Sequence, residues 1–151
     1  MTQTSTAAPA GGRTVKAAFL LVTVFFLTFL GRTILSPLLL EIQADLGVSI
    51  AVGGSFFLFI SAGLTASMLV SGFVSRRVTH HGAIAISALL VGTGLVVLAA
   101  SGGLFPFRVG LLVIGAGAGL YLPSGVATLT DVVPRPLWGR ALAFHELGPI
   151  L

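Results

Sequence analysis

The sequence predicts an all-α integral membrane protein with four transmembrane helices and the start of a fifth. Its composition, its long apolar runs and the placement of its charges support this fold class. Of the 151 residues, 56% are hydrophobic and only 8% are charged, whereas a soluble domain carries roughly 25% charged residues. Because so few charges cannot cover a water-exposed surface, we expect a lipid bilayer to surround much of the protein.

Six of the eight basic residues lie at alternate boundaries between the apolar runs, and the other boundaries carry acids or no charge. Loops that face the cytoplasm retain Lys and Arg. We therefore expect a multi-pass protein of the plasma or inner membrane with its N-terminus in the cytoplasm. The residues concerned are Arg13 and Lys16 before the first run, Arg76 and Arg77 after the second, and Arg135 and Arg140 after the fourth.

The first span is predicted over residues 15–37, because a helix needs about 20 residues to cross the hydrocarbon core. The small and polar residues 1–14 are typical of a disordered cytoplasmic tail. Basic residues followed by an apolar run also begin many signal peptides. This run continues past Leu30 without a small-x-small cleavage site, so we expect a retained helix that ends near Pro37.

Three further spans are predicted over residues 50–74, 83–100 and 106–130. Ser49 is the expected N-cap of the second span, since its hydroxyl can accept a hydrogen bond from the first turn. A fifth apolar segment covers residues 141–151. Its helical length of about 16 Å is roughly half of the hydrocarbon thickness, so we expect only part of a helix there.

The fourth span is rich in glycine. Gly115 and Gly119 have the small-xxx-small spacing that lets two helix backbones approach closely. Ordinary helix packing explains this spacing, and a hinge for conformational change is the alternative. The sequence alone does not separate the two.

Four motifs follow one another along the chain. The first span ends in a passage that contains PLLLEIQADLGVS, and the glycine-led basic sequence GFVSRR lies at the boundary between the second and third spans. The fourth span contains GAGAGLYLPSG, and DVVP followed by GRA comes after it. In this order the motifs resemble the N-terminal part of a major facilitator superfamily (MFS) transporter. They occupy residues 32–49, 72–77, 115–125 and 131–141.

The resemblance implies that residues 15–151 form an incomplete N-terminal transmembrane domain, whose complete form in the family is a six-helix bundle. It also implies a secondary transporter that moves a small solute by alternating access. Gly72 and Arg77 match the family's loop motif between the second and third helices. Arg76 stands where that motif usually has an acid, so a charge contact between domains that depends on the acid is not expected.

Two alternatives to this function remain open. A truncated membrane polypeptide that does not transport solutes would show the same sequence pattern, since the fifth span is incomplete. A four-helix transporter that works as a dimer, as in the small multidrug resistance family, would also have four spans. That family relies on a glutamate in its first helix, whereas this first span contains Arg32 and no acid.

Two arginines lie outside the boundary pattern. Arg32 follows Lys16 by 16 residues, about 24 Å along a helix, and Arg108 lies near the start of the fourth span. An ionisable residue within a span is costly in lipid and usually faces a cavity or a partner. Both arginines are therefore candidates for binding an anionic substrate through the guanidinium group. Snorkelling to the interface, or pairing with Glu41 or Asp45, is the alternative for Arg32, and a position at the interface is the alternative for Arg108.

Three residues farther along the chain are also candidates. Tyr121 is a candidate for substrate binding, with core packing as the alternative. His145 and Glu146 are candidates for proton coupling, because an imidazole beside a carboxylate in a membrane helix can pass protons. Neighbours on a helix point about 100° apart, so these two are not expected to share one face. A surface ion pair between Glu146 and Arg140 is the alternative.

The sequence predicts no enzyme activity, no cofactor and no metal site. No serine has His and Asp residues arranged for nucleophilic catalysis, and the chain has no cysteine. His80 and His81 are adjacent, but the sequence offers no third ligand near them. Nucleic acid is not expected as a partner either, because no run of basic residues exceeds two.

Overall fold

The computed structural model describes residues 12–146. Within this range the chain forms six α-helices, one 3-10 turn and no strand, which confirms the all-α prediction. Four of these helices are long and apolar enough to span a membrane. The helices are α1 (Gly12–Thr33), α2 (Leu39–Leu46), α3 (Ile50–Arg77), α4 (His80–Ala99), α5 (Leu104–Val132) and α6 (Trp138–Glu146), with the 3-10 turn at Arg135–Leu137 before α6.

The first helix differs from the predicted span at both ends. α1 already includes residues 12–14, which the sequence assigned to the tail, and residues 1–11 lie outside the described range. The helix ends at Thr33, before Pro37 is reached. Proline has no N–H to donate and disfavours the helical conformation of the residue before it. The chain therefore turns here before α2 begins.

α2 is a short helix that the sequence did not predict. It ends at Gly47, whose φ of 61° lies in the left-handed region that glycine adopts without steric cost. The N–H of Gly47 donates to the carbonyl of Ala44, which closes α2. Ser49 then caps α3 by accepting a hydrogen bond from the N–H of Val52 at 3.4 Å, as the sequence predicted.

α5 is the central helix of the bundle and the most buried of the four spanning helices. It runs parallel to α3, because Gly115 faces Ile60 and Gly119 faces Leu64 one turn farther along both helices. A Cβ atom at either glycine would overlap a backbone carbonyl of α3. The missing side chains therefore let the backbones of α3 and α5 touch.

α4 packs on another side of α5 and runs antiparallel to it. Gly94 lies beside Gly110 near one end of the contact, and Ser87 lies beside Gly117 near the other. The hydroxyl of Ser87 donates to the carbonyl of Gly117 at 2.7 Å. This bond satisfies a hydroxyl that is fully buried, where an unpaired polar group would be destabilising.

Apolar clusters lie at both ends of the bundle. At the end next to α2, the rings of Phe56 and Phe107 pack with their centres 4.9 Å apart. At the opposite end, Leu21 packs against Leu129. Many large apolar side chains point outward instead, including Leu69, which is 82% exposed. Such a surface suits a bilayer, in which lipid tails solvate apolar side chains.

The turn from α5 to α6 is tight. α5 continues to Val132, two residues beyond the predicted end of the fourth span, so it includes Asp131. The indole N–H of Trp138 donates to the carbonyl of Val133 at 2.8 Å and fixes the start of α6. α6 then runs alongside α1. Residues 147–151, which complete the predicted fifth segment, lie outside the described range.

Candidate functional site

Arg32 lies in the last turn of α1 and is half-buried. Its guanidinium carbon lies 5.1 Å from the centre of the Phe29 ring, which is a cation–π distance. Within the described residues Arg32 forms no ion pair, so the predicted alternative of pairing with Glu41 or Asp45 is not seen there. The guanidinium is held by an aromatic ring and not by a carboxylate.

An open cavity of about 310 Å³ lies beside Arg32, between α1 and α3. The wall formed by α1 and the turn after it carries the guanidinium and two hydroxyl groups, and the wall formed by α3 carries an aromatic ring, an aliphatic side chain and a third hydroxyl group. This combination can bind a small polar solute that has an anionic group. The lining residues are Arg32, Thr33, Ser36, Phe57, Ile60 and Ser61.

Arg108 is placed away from this cavity. Its guanidinium carbon lies 5.1 Å from the centre of the Phe59 ring, and its Nε is buried without a hydrogen-bond partner among the described residues. Phe59 and the cavity residue Ser61 project about 160° apart around α3. Arg108 therefore packs on the Phe59 side of α3, whereas Ser61 of the Arg32 cavity projects to the other side, and the structure does not bring these two candidates together.

Tyr121 and His145 meet inside the bundle, although they are 24 residues apart in sequence. Both side chains are fully buried. The hydroxyl of Tyr121 donates to the carbonyl of Leu21 at 2.7 Å, and its oxygen lies 3.0 Å from Nε2 of His145. This one hydroxyl thus links α5 to both α1 and α6.

Phe25 of α1 covers the faces of both rings. Its ring centre lies 4.2 Å from that of His145 and 5.5 Å from that of Tyr121. The ring planes of Tyr121 and His145 are themselves parallel to within 2°. Stacking and the hydroxyl contact together hold the imidazole in one orientation.

Glu146 lies at the exposed edge of this cluster. Its side chain is 62% exposed, whereas that of His145 is only 1% exposed. The two residues project in different directions, as predicted for neighbours on a helix, but the carboxylate still reaches the ring. Glu146 Oε1 lies 3.4 Å from Nδ1 of His145. Arg140, the predicted alternative partner, forms no ion pair with Glu146 in the described part of the chain.

One face of α1 joins the Arg32 cavity to the Tyr121–His145 pair. Leu21, Phe25, Thr28 and Arg32 are spaced by three or four residues, so their side chains project to the same side of the helix. A narrow cavity between α1 and α5 is lined by the last three of these residues. The rise from the first to the last is about 16 Å. The two candidate sites are therefore separate but share one helix face.

A second large cavity, of about 330 Å³, lies between α1 and α4. Its walls are apolar apart from the hydroxyl of Thr28, and none of its lining residues is charged. Because solute specificity needs a few well-placed polar groups, this cavity lacks the chemistry of the one beside Arg32.

The predicted loop motif lies at the end of α3. Gly72 is exposed, and no atom lies within 4 Å of the position that a Cβ would take. The guanidinium carbon of Arg77 lies 5.1 Å from the centre of the Phe73 ring. Neither motif residue lines the Arg32 cavity, so the structure keeps the motif separate from the candidate sites.

Sequence reasoning missed most members of these sites, and three of them show why. Phe25 lies seven residues before Arg32, which is the spacing of one helix face, so that periodicity could have identified it. Ser61 could be recognised only once the cavity between α1 and α3 was known. The carbonyl of Leu21 has no sequence signal, because every residue carries a carbonyl.

Comparisons with known proteins agree with the sequence resemblance. The family profile of the Major Facilitator Superfamily matches residues 21–149. The chain is also similar to Sugar transporter ERD6-like 15 of Arabidopsis thaliana, with 29% identity over 112 residues. This match covers 74% of the chain but only 23% of the relative, so the chain spans less than a quarter of that relative's length. No solved structure matches the chain. The profile match and the four spanning helices show that this multi-pass membrane protein belongs to the major facilitator superfamily.

Proposed function

We propose that this protein acts in secondary transport of a small solute by alternating access, and that the helices described here form the first part of an N-terminal MFS bundle. Membership of the family supports the proposal, as does the similarity to a protein named as a sugar transporter. The observation that supports it most directly is the polar cavity beside Arg32.

The solute that suits this cavity is a small organic anion that also carries hydroxyl groups. A guanidinium can form paired hydrogen bonds with a carboxylate, and Arg32 forms no ion pair within the described residues. The hydroxyls of Ser36 and Ser61 can exchange hydrogen bonds with hydroxyls of the solute. The ring of Phe57 provides an apolar surface for its carbon skeleton.

Arg32→Gln is expected to reduce solute uptake about tenfold or more, because hydrogen bonds to a charged group contribute about 1.5–3 kcal/mol. The measurement is uptake of hydroxylated monocarboxylates, such as gluconate and lactate, into proteoliposomes that contain the protein. Arg32→Lys keeps the charge but loses the planar fork, so we expect an intermediate rate.

Arg108→Gln is the matched control for this experiment, because it removes the other arginine within a span but leaves the cavity intact. Uptake by Arg108→Gln is expected to stay near the wild-type rate. Equal uptake by the wild type and Arg32→Gln would contradict the role of Arg32. An equal loss in both variants would indicate a general defect of the bundle and not loss of substrate binding.

We further propose that the N-terminus faces the cytoplasm and that the protein lies in the plasma or inner membrane. The end of α3 and the start of α6 carry exposed basic side chains, among them Arg76, Arg77 and Arg140, and cytoplasmic loops retain such residues.

The protein has no cysteine, so a thiol reagent can label this protein only at a cysteine that is introduced. An impermeant thiol reagent is expected to label Gly102→Cys in intact cells, and Gly139→Cys only after permeabilisation. The reverse pattern would contradict this orientation.

We also propose that a proton gradient drives uptake and that His145 and Glu146 carry the proton. His145 is buried, yet its ring reaches the exposed carboxylate of Glu146, so a proton on the imidazole has a route to the protein surface. Histidine is the side chain that ordinarily changes its charge near neutral pH. Because the face of α1 next to His145 also carries Arg32, a change of charge at the ring can affect the substrate cavity through this helix.

A further inference from the structure

The hydroxyl of Tyr121 has two partners but only one hydrogen. Its oxygen lies 2.7 Å from the carbonyl oxygen of Leu21 and 3.0 Å from Nε2 of His145. A carbonyl oxygen can accept a hydrogen bond but cannot donate one. The hydrogen of Tyr121 is therefore needed for the bond to Leu21, which is also the shorter of the two contacts.

The contact with His145 then requires a hydrogen from the imidazole. Since the Tyr121 hydrogen points to Leu21, the Tyr121 oxygen accepts and Nε2–H of His145 donates. A neutral imidazole has only one N–H, so Nδ1 is left with a free electron pair. Nδ1 lies 3.4 Å from Glu146 Oε1, an acceptor to which Nδ1 can donate once it has taken up a proton.

We infer that Tyr121 is a positioning residue, which holds His145 in the Nε2–H tautomer and makes Nδ1 the atom that takes up and releases the proton. The inference rests on the proton coupling proposed above and assigns that role to one atom. It also gives Tyr121 a role other than substrate binding, because its buried hydroxyl already has both of its partners within the protein.

The surroundings of the ring favour this single proton site. Among the described residues, the titratable groups that face His145 are Tyr121 from α5 and Glu146 from α6, and α1 contributes the Leu21 carbonyl and the Phe25 ring. The Phe25 ring stacks on the imidazole at 4.2 Å, which opposes a flip that would exchange the two nitrogens. A proton that leaves Nδ1 passes to the Glu146 carboxylate or to water beside it, and the ring returns to its neutral form.

The protein contains three histidines, so His80→Gln combined with His81→Gln leaves His145 as the sole imidazole. In this background, 15N-labelled histidine gives separate NMR signals for Nδ1 and Nε2 when the protein is reconstituted in lipid nanodiscs. We expect the neutral ring to carry its hydrogen on Nε2, by about tenfold or more over the other tautomer. Acidification is expected to add a proton at Nδ1 while Nε2 stays protonated.

Tyr121→Phe in the same background removes the acceptor for Nε2–H but keeps the aromatic ring. We expect the Nδ1–H tautomer, which can donate to Glu146, to become the major form. Ser87→Ala is the matched control, because it removes another buried bond from a hydroxyl to a carbonyl but leaves the His145 cluster intact. Its His145 signals are expected to match those of the background.

A neutral ring that carries its hydrogen on Nδ1 in the background protein would overturn the inference, as would an Nε2–H tautomer that persists in Tyr121→Phe. The first of these results does not depend on whether Tyr121→Phe folds. If the spectra are as expected but an imposed proton gradient does not change uptake, the proposed coupling is wrong and the tautomer assignment stands.

Discussion

Gly115→Ala and Gly119→Ala are expected to destabilise the bundle by about 1–3 kcal/mol each, the range observed when atoms are forced into a well-packed core. An ideal Cβ at Gly115 overlaps the carbonyl oxygen of Ile60, and one at Gly119 overlaps that of Leu64. Both obstacles are backbone atoms, so no side chain can rotate to make room. The helices α3 and α5 have to move apart, and the contacts along their whole interface weaken.

The measurement is thermal unfolding of the wild type and of each variant in the same detergent. Gly72→Ala is the matched control on α3, because nothing lies within 4 Å of its Cβ position and alanine favours a helix more than glycine does. Its unfolding temperature is expected to equal or exceed that of the wild type. Unfolding of Gly115→Ala and Gly119→Ala at the wild-type temperature would contradict the close contact of α3 with α5.

His145→Gln is expected to abolish solute accumulation that is driven by a proton gradient, while exchange of solute without a gradient continues. The amide N–H of glutamine can donate to the Tyr121 hydroxyl as Nε2–H does, but an amide takes up no proton near neutral pH. The substitution therefore keeps the hydrogen bond to Tyr121 but removes the group that takes up a proton. The measurement is uptake into proteoliposomes with and without an imposed proton gradient.

His145→Leu extends this comparison, because it removes the hydrogen bond together with the titration. We expect it to lose gradient-driven uptake and also to unfold at a lower temperature, since the buried Tyr121 hydroxyl loses one of its partners. A folded His145→Gln protein that still accumulates solute in response to the gradient would show that His145 does not carry the coupling proton.

The spanning helices could be predicted because lipid imposes a minimum apolar length, and that length can be read directly from sequence. α2 could not be predicted in the same way. Its apolar residues Leu39, Ile42 and Leu46 have helical spacing and pack on the cluster around Phe56, but eight residues are too few for a clear periodic signal. The helix is stabilised by that packing, which depends on where α3 and α5 lie.

The candidate sites were predicted as separate residues, and their grouping was not. Arg32 and His145 stood out because ionisable groups are rare inside spans. The contact between Tyr121 and His145 joins α5 to α6 across a turn, and it depends on how the Trp138 hydrogen bond directs α6 towards α1. No local spacing rule describes such a contact. The separation of Arg108 from the Arg32 cavity likewise depends on how α1 and α5 are arranged around α3.

The proposed anion-binding cavity beside Arg32 is tested most directly with the variant Ser61→Cys. The measurement compares how fast anionic and cationic thiol reagents modify the introduced cysteine. The protein has no cysteine of its own, and Ser61 lines this cavity. Modification rates with anionic and cationic methanethiosulfonates are compared with those of Gly102→Cys, an exposed position outside the cavity. We predict that Ser61→Cys reacts, that its ratio of anionic to cationic rates exceeds that of Gly102→Cys, and that adding Arg32→Gln removes the excess. A thiol that does not react, or a ratio that favours the cationic reagent, would contradict an anion-binding cavity at Arg32.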